Sequence, residues 1–514
     1  KLLNVNIGVL GHVDSGKTSL VKALSTTLST AALDKHPESR KRGITLDLGF
    51  SNFQIDIPEH RQKDFEGYDK IQFTLVDCPG HASLIKTVIG GAAIIDLMIL
   101  VIDINKGIQT QTAECLVIGE ILSERMIVAL NKVDLIPKDK RQEKIAKQKK
   151  KLQAVFKRTK VFGKDIPMIT TVAAPGGGLL HKEGPKKSAN DDTVDISLLV
   201  KTLVNTLQVP QRVTRGNFRF AIDHCFQIKG QGTVMTGTVL EGTVHVNDLI
   251  EITGLGIERK VKSMQMFRKP VKKASQGDRV GICVTSLDAS QLERGVACSP
   301  KVIPTIQAAV ACVNKVVRFF KGDVKSDSKF HCTIGHATVM ASALFFGKNV
   351  EAEKGGRGQS GGGKVDAYPS EFNMDSDYAW HSRLIPDSKD HPPGTQFALL
   401  KFEKPVTCPP DSMVIGSKLD VSTDAKLCRI AFSGKLLTSL KYDPETLEKL
   451  KIYKLRQRVG SVERLQDDYT IIGKGLFSKE TNMEQFMGLK VRLDSGLEGT
   501  ISSSFGQTGK FKVS

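Results

Sequence analysis

This 514-residue sequence contains no apolar run that approaches the length a helix needs to cross a bilayer. It also does not open with the charged and apolar segments of a signal peptide. These absences lead us to expect a cytoplasmic protein that has no membrane partner. Because the first residue is Lys1, we also expect the natural chain to begin further upstream.

Paired cysteines are missing as well. The nine cysteines are scattered without a C-x-x-C pair, and the chain is too long for a small secreted scaffold, so we expect reduced thiols. The segment from Phe330 to His336 carries two histidines and a cysteine, which could suggest a metal site. It alternates like a strand with Phe330, Cys332 and Ile334 on one face, and we favour the strand.

Acidic residues are scarce relative to basic ones. The sequence has 55 Asp and Glu residues against 74 Lys and Arg residues, a formal net charge of +19 and a pI near 9.4. A balance this basic favours nucleic-acid partners, because lysine and arginine neutralise phosphates and release counterions. The alternative is a lysine-rich, soluble surface without such a partner.

The most informative segment that is present follows an apolar run at residues 5–10. Its sequence, GHVDSGKT, fits G-x-x-x-x-G-K-[ST], in which glycines let the backbone amides and a helix N-terminus approach a phosphate. Lys17 then reaches the β- and γ-phosphates, and the Thr18 hydroxyl ligates Mg²⁺. The residues predicted to contact nucleotide here are Gly11, Asp14, Ser15, Gly16, Lys17 and Thr18. The alternative is a glycine-rich turn that happens to carry a lysine.

A second motif, D-x-x-G, follows the apolar strand pattern at residues 73–76. Asp77 is placed to hold the Mg²⁺ shell through water, and the Gly80 amide is placed to contact a γ-phosphate. Motifs in this order, each after a hydrophobic strand, indicate a nucleotide-hydrolysing α/β domain far better than any one of them alone.

A third motif identifies the base as guanine. The apolar run at residues 126–130 leads into Asn131, Lys132 and, two residues on, Asp134. The Asp134 carboxylate can accept both the N1 and the N2 hydrogens of guanine, a pair of donors that adenine does not offer. Where many GTPases have Ser-Ala-Lys, this chain has TVAAP at residues 171–175, so we expect only the Ala174 amide to contact the guanine carbonyl.

The string DCPGH at residues 77–81 and the string RGIT at residues 42–45 resemble the translational GTPases. That resemblance implies that Thr45 closes over Mg²⁺ and the γ-phosphate and that His81 positions the attacking water. It also implies that Val13 and Ile44 form an apolar gate beside His81. The alternative for His81 is a surface imidazole on a flexible loop.

Four domains are predicted, because the chain exceeds what one hydrophobic core supports. Strands alternate with amphipathic helices over 1–210, which predicts a doubly wound α/β GTPase domain. Within it, 138–164 is dense in lysine, most simply the solvated face of a helix. Short β-rich runs predict a barrel over 211–304 and a second over 305–434, with a flexible insert near 347–370.

The last predicted domain, 435–514, is β-rich, and we expect it to be truncated. Alternation over 449–458 predicts a bulged strand, whose cations indicate either RNA binding or a protected sheet edge. Residues 505–513 also alternate, so we expect the chain to stop inside or just after a strand.

Over nearly its whole length the sequence resembles the eukaryotic selenocysteine-specific elongation factors. The strings that carry the resemblance are GVLGHVDSGKT, RGITLDLGF, DCPGHASLI and DHCFQIKGQGTVMTGT, together with the extra C-terminal domain. It implies a monomeric GTPase, with GTP or GDP and Mg²⁺, that brings selenocysteyl-tRNA to the ribosome at UGA codons. It further implies that the C-terminal domain meets the selenocysteine insertion element of the mRNA and its binding protein.

The same resemblance implies an aminoacyl pocket formed by Asp223, His224 and Arg279. A local alternative is that Asp223 and Arg279 form a structural ion pair beside His224. Other functions also remain open. A bulk aminoacyl-tRNA carrier would not need the last domain, an initiation-factor gamma subunit would work in a heterotrimer, and a GTP-dependent subunit of a metabolic enzyme would bind no tRNA.

The role implied for His81 is directly testable. Replacing His81 by Ala should slow ribosome-stimulated GTP hydrolysis by about 10²-fold or more, because the attacking water loses its orienting group. Nucleotide binding, measured in parallel by equilibrium titration, should survive. Equal turnover in the two proteins would remove His81 from the mechanism.

Overall fold

This computed structural model describes most of the chain. The described residues are 2–25, 49–78, 95–123, 125–157, 165–173, 196–267, 269–316, 319–335, 337–348, 372–388, 391–419, 428–440, 445, 449–454, 458–506 and 509–514. The chain divides into two compact units, Lys1–Ile452 and Tyr453–Ser514. Of the predicted insert near 347–370, only 347–348 are described.

The first domain, here called the α/β domain, is built on apolar strands that are buried on both faces. Its six strands lie in the order β2-β3-β1-β4-β5-β6. All neighbours are parallel except β2 and β3. The strands are β1 (Leu2–Gly11), β2 (Gly49–Asp56), β3 (Lys70–Asp77), β4 (Leu97–Asp103), β5 (Met126–Asn131) and β6 (Met168–Thr171).

Helices cover both faces of this sheet, as the doubly wound prediction requires. They are α1 (Lys17–Leu24), α2 (Thr110–Leu122), α3 (Lys138–Phe156) and α4 (Ile196–Thr206). Helices α1 and α4 contribute to one core cluster, and α2 and α3 contribute to the other. The lysine-dense segment is α3, which buries Ile145, Leu152 and Phe156 and presents its lysines outward.

The second domain, here called the first barrel, is a closed β-barrel. Six strands close in the order β10-β15-β7-β8-β14-β11, because β10 also pairs with β11. A Cβ at Gly237 of β8 would lie 1.8 Å from the Ala221 carbonyl oxygen, so only glycine fits there. The strands are β7 (Arg219–Ile228), β8 (Gly232–Glu241), β9 (Thr243–His245), β10 (Leu249–Ile252), β11 (Ile257–Met266), β12 (Lys269–Val271), β13 (Lys273–Ser275), β14 (Arg279–Val284) and β15 (Gly295–Cys298).

The third domain, the second barrel, closes in the order β17-β21-β22-β16-β20-β18. Its centre holds Phe330, Phe345 and Phe432 in edge-to-face contact, with ring centroids 5.2 to 6.3 Å apart. The strands are β16 (Thr305–Lys315), β17 (Ser328–Ile334), β18 (Ala337–Gly347), β19 (Tyr378–His381), β20 (Gln396–Thr407), β21 (Met413–Ser417), β22 (Ile430–Leu440) and β23 (Ile452–Tyr453). The alternating segment that begins at Phe330 forms strand β17, as expected, and its Phe330, Cys332 and Ile334 side chains lie in the core.

Two details of this region differ from the sequence prediction. Strand β22 continues to Leu440 and so crosses the boundary expected at residue 434, because its hydrogen bonds to β16 extend that far. The strand expected over 449–458 is limited among the described residues to β23, which pairs with β19 at the end of the sheet.

The second unit is a five-stranded sheet in the order β24-β25-β28-β27-β26. Its core is small and centres on Ile501, Phe511 and Val513. The chain ends just after strand β28, as expected, but the alternation over 505–513 does not form one continuous strand, because the chain turns at Gly506 and Gly509, both with positive φ, and β28 pairs with β27. The strands are β24 (Ser461–Asp467), β25 (Thr470–Lys474), β26 (Lys490–Arg492), β27 (Glu498–Phe505) and β28 (Lys510–Val513).

Polar junctions join the α/β domain to both barrels. Between the α/β domain and the first barrel, Arg212 donates from Nη1 and Nη2 to the Asp96 carboxylate at 2.8 and 2.6 Å. The Asn4 and Asn6 side-chain amides both donate to the Gly277 carbonyl at 2.9 Å.

Across the part of the chain that is described, no helix combines the length and the apolar character that a membrane span requires.

Candidate functional site

The loop between β1 and α1 contains residues in the left-handed backbone region. Asp14 and Gly16 have φ values of 60° and 92°. A Cβ at Gly16 would lie 2.2 Å from the Asn131 side-chain nitrogen, and one at Gly11 would lie 2.3 Å from the Val101 carbonyl oxygen. Backbone amides beside left-handed residues can form an anion-binding nest, and this loop leads directly into the N-terminus of α1.

Lys17 provides the cation of this nest. It is the first residue of α1 and is only 6% exposed. Its Nζ donates to the His12 carbonyl oxygen at 2.8 Å, so the side chain folds back over the loop. Burial lowers the pKa of Lys17, and the nearby Asp77 carboxyl only partly opposes this effect. A bound phosphate would offset the cost of holding this ammonium away from water.

Thr18 and Asp77 place a hydroxyl and a carboxylate side by side, and both are oxygen groups of the kind that Mg²⁺ prefers. The Thr18 hydroxyl donates to Asp77 Oδ2 at 2.7 Å. Burial raises the pKa of Asp77 to about 6, although the Thr18 hydroxyl and the Lys17 charge lower it. Its other oxygen, Oδ1, has no hydrogen-bond partner among the described residues. A buried, incompletely satisfied carboxylate beside a hydroxyl fits a divalent cation.

Asn131 ties the base-recognition loops to the phosphate loop. It is 2% exposed, and its Nδ2 donates to the Ser15 carbonyl at 2.9 Å. Its Oδ1 accepts from the Ala173 amide at 3.1 Å and from the Thr171 hydroxyl at 3.3 Å. The N-K-x-D segment and the segment after β6 therefore meet at the carboxyl edge of the sheet, where ligands of doubly wound folds bind.

Lys132 and Asp134 follow Asn131 in this edge. Lys132 has φ 66°, and its Nζ lies 3.1 Å from Oδ2 of the buried Asp103. Asp134 lies in the turn after β5 and is half-buried. Of the predicted nucleotide residues, the structure thus brings together those of the phosphate loop, Asp77 and the N-K-x-D segment. Ile44, Thr45, Gly80, His81 and Ala174 lie outside the described residues.

Two residues of this site, Gln111 and Asp103, belong to none of the sequence motifs. Gln111, in the first turn of α2, accepts the Val13 amide at its Oε1 at 3.1 Å. Asp103 ends β4 as Asp77 ends β3, and it orients Lys132. A polar residue directly after a buried strand was the signal that could have revealed Asp103. No local signal marks Gln111, because only the fold brings α2 beside the phosphate loop.

The residues predicted to form the aminoacyl pocket also lie close together. The Arg279 Nη1 donates to the Asp223 carboxylate and, at 3.3 Å, to the Thr238 hydroxyl. Both partners of this ion pair are nearly buried, whereas His224 is half-buried. The Arg279 guanidinium carbon lies 3.0 Å from the ring centroid of Phe50, which belongs to β2. The ion pair therefore stands where the first barrel meets the α/β domain.

The phosphate loop and the N-K-x-D segment lie at one edge of a doubly wound sheet, and two closed barrels follow it. This is the architecture of the translational GTPases. This chain is a GTPase of that class. Family models match the regions in order: "Elongation factor Tu GTP binding domain" matches residues 3–210, and "Elongation factor Tu domain 2" matches residues 232–298. "Selenocysteine-specific elongation factor, eukaryotes, 3rd domain" matches 310–434, and "eEFSec C-terminal RIFT domain" matches 448–514.

Whole-chain comparisons identify the family. The selenocysteine-specific elongation factor of Mus musculus is 47% identical over 99% of this chain and 88% of its own length. That of Methanocaldococcus jannaschii is 31% identical over 99% of this chain and 94% of its own. The chain belongs to the selenocysteine-specific elongation factor family.

A solved structure shows the same architecture with nucleotide. Translation elongation factor SelB of Methanococcus maripaludis, in complex with the GTP analogue GppNHp, matches with a TM-score of 0.74 and 26% identity. The match covers 100% of this chain and 95% of that one. As a GTPase of this type the chain binds GTP and GDP, with the Mg²⁺ that is typical of the class.

Asp134 provides the test of base recognition. Replacing Asp134 by Asn should shift the nucleotide preference from GTP to xanthosine triphosphate, because an amide replaces the carboxylate that accepts the two guanine hydrogens. Competition binding with both nucleotides measures the shift. The matched control is Asp139→Asn in the exposed first turn of α3, which should change nothing. Unchanged GTP affinity in the Asp134 variant would refute the assignment.

Proposed function

We propose that this chain carries selenocysteyl-tRNA to the ribosome at UGA codons and hydrolyses GTP there. The observation that carries the proposal is the buried Arg279, oriented by Asp223 and Phe50 at the junction of the α/β domain and the first barrel. Family membership supports it, because the mouse and archaeal relatives are named for selenocysteine. The working compartment we propose is the cytoplasm, and the working form is a monomer.

The chemistry of the amino acid explains why an arginine suits this position. A selenol is largely ionised near neutral pH, whereas a thiol has a pKa of about 8.5 and a serine hydroxyl stays neutral. A guanidinium has several N–H donors in a rigid fork, so it can contact more than one anion at a time. Asp223 then orients Arg279, and Arg279 with His224 distinguishes the selenolate from a hydroxyl.

In this proposal, GTP binding and hydrolysis at the nucleotide site determine when the tRNA is delivered. In this proposal the loop amides and Lys17 bind the phosphates, Thr18, Thr45 and Asp77 hold the metal shell, and Asp134 reads guanine. Bound Mg²⁺ would neutralise charge that develops on the phosphate oxygens.

The remaining predicted residues have the following roles in this proposal. The Gly80 amide contacts the γ-phosphate, the Ala174 amide contacts guanine, and His81 orders the attacking water. Val13 and Ile44 keep His81 away from the water until the ribosome engages.

The second unit has a different task in this proposal. It meets the selenocysteine insertion element of the mRNA and the protein that binds that element. All seven residues of β24 are exposed, and large apolar side chains in this unit are open to solvent, with Leu465 72% and Tyr469 89% exposed. Exposed aromatic and aliphatic side chains in a small basic domain suit a binding surface.

Arg279 is the residue on which amino-acid selectivity rests. Replacing Arg279 by Ala should weaken selenocysteyl-tRNA binding by roughly ten- to a hundred-fold, since a charge-assisted contact contributes about 1.5 to 3 kcal/mol. Binding of seryl-tRNA to the same protein should hardly change. Equilibrium binding with a non-hydrolysable GTP analogue measures both, and the wild-type preference should fade as pH falls far enough to protonate the selenol.

The control for this experiment is Arg259→Ala on β11 of the same barrel, which should leave both affinities unchanged. Equal weakening of both charged tRNAs by Arg279→Ala would mean that Arg279 supports the barrel or the tRNA end. Selectivity would then arise elsewhere, and the ion pair with Asp223 would be structural.

Removal of the second unit distinguishes binding of the charged tRNA from decoding of the UGA codon. A chain that ends at Ile452, the last residue of the first unit, should still bind GTP and charged tRNA, because those sites lie earlier. It should fail to incorporate selenocysteine at UGA in a reconstituted translation assay. Ending at residue 434, the boundary expected from the sequence, would remove the second half of strand β22, whereas ending at Ile452 removes only one residue of the two-residue strand β23. Retained UGA decoding would assign the second unit another task.

A further inference from the structure

We propose that helix α2 couples the second barrel to the phosphate loop, with Gln111 as a positioning residue for the loop and Arg429 as the contact from the barrel. The proposal concerns nucleotide retention. It depends on the GTPase site and is independent of which tRNA is carried.

The first step is the contact between Gln111 and the phosphate loop. Gln111 Oε1 accepts the Val13 amide at 3.1 Å. Val13 stands between His12, whose carbonyl accepts Lys17 Nζ at 2.8 Å, and Asp14, whose φ is 60°. An acceptor at this amide therefore holds the orientation of the peptide at the point where the loop changes direction. Losing it would leave the peptide beside the left-handed Asp14 without this side-chain support.

The second step is the contact between α2 and the second barrel. Glu114 Oε1 accepts from the Arg429 backbone amide at 3.1 Å and from Arg429 Nε at 3.0 Å, and Oε2 lies 3.4 Å from Nη2. The side chains of both residues are less than 10% exposed. A buried pair with several hydrogen bonds permits only one arrangement, because a shift would leave a charge buried without its partner.

The third step is the stiffness of the connection. Gln111 and Glu114 are three residues apart, and residues at this spacing lie on one face of a helix. The start of α2 is held by a capping box between Gln109 and Thr112. Leu116 of α2 belongs to the same buried cluster as Cys428 and Ile430 of the barrel. The helix is thus packed against the barrel within one turn of its contact with the loop.

These contacts predict how the barrel affects the nucleotide. A displacement of the second barrel, by a partner or by mutation, breaks the fit of Arg429 to Glu114 and shifts α2. Gln111 then no longer meets the Val13 amide, and the loop holds the phosphates less firmly. The barrel would control how long GDP stays bound without touching the nucleotide.

The test measures GDP dissociation from the full-length chain by stopped flow with a fluorescent GDP analogue. Gln111→Ala and Arg429→Lys should each raise the dissociation rate about three- to tenfold, the range expected for one hydrogen bond. Lysine at 429 keeps the charge, so the buried Glu114 is not left unpaired. In the double variant the rate should rise no further than in the larger single variant, because Arg429 acts on the loop only through the contact of Gln111 with Val13.

Two controls separate positioning from loss of stability. Ile145→Val on α3 removes a buried methyl group from the same core cluster without touching either end of α2, and Lys329→Ala removes an exposed ion pair of the second barrel. Both should leave GDP dissociation unchanged when compared at matched thermal stability. Unchanged rates in Gln111→Ala, strictly multiplicative effects in the double variant, or an equal effect of Ile145→Val would each overturn the proposal.

Discussion

The burial of Lys17 and Asp77 at the carboxyl edge of the parallel sheet is the constraint around which the first domain is arranged. An ammonium and a carboxylate held away from water are costly unless ligands satisfy them. Their neighbours only partly do so: Lys17 contacts the His12 carbonyl, and Asp77 accepts from Thr18. The sheet and α1 hold both groups in place, so the nucleotide and its metal meet a site that is already organised.

The same principle extends to the junctions between domains. Asp96 with Arg212, and Glu114 with Arg429, are charged pairs placed where the α/β domain meets each barrel. Arg279 lies between its carboxylate partner and an aromatic ring of the neighbouring domain. Such pairs add less to stability than to geometry, because only one relative placement satisfies them. The arrangement of the domains is thereby linked to the groups that bind ligands.

Much of the fold was predictable from local patterns. Apolar runs ending in motif residues indicated β1, β3 and β5, and the spacing of Ile145, Leu152 and Phe156 indicated α3. Local patterns failed where long-range pairing decides. Alternation continued through residues 505–513, yet glycines with positive φ divide that stretch into a hairpin. Strand β22 passes residue 434 because β16 offers it hydrogen-bond partners up to Ala308.

The sequence by itself determined the ligand chemistry, because each of the three motifs, the phosphate loop, D-x-x-G and N-K-x-D, carries its donors and acceptors within a few residues. It also determined the alternation of strands and helices, since periodicity is a local property. Only the tertiary structure decided which distant groups meet: Gln111 with Val13, Glu114 with Arg429, and Phe50 with Arg279. These contacts join segments far apart in the chain, and no local pattern encodes the packing that brings them together.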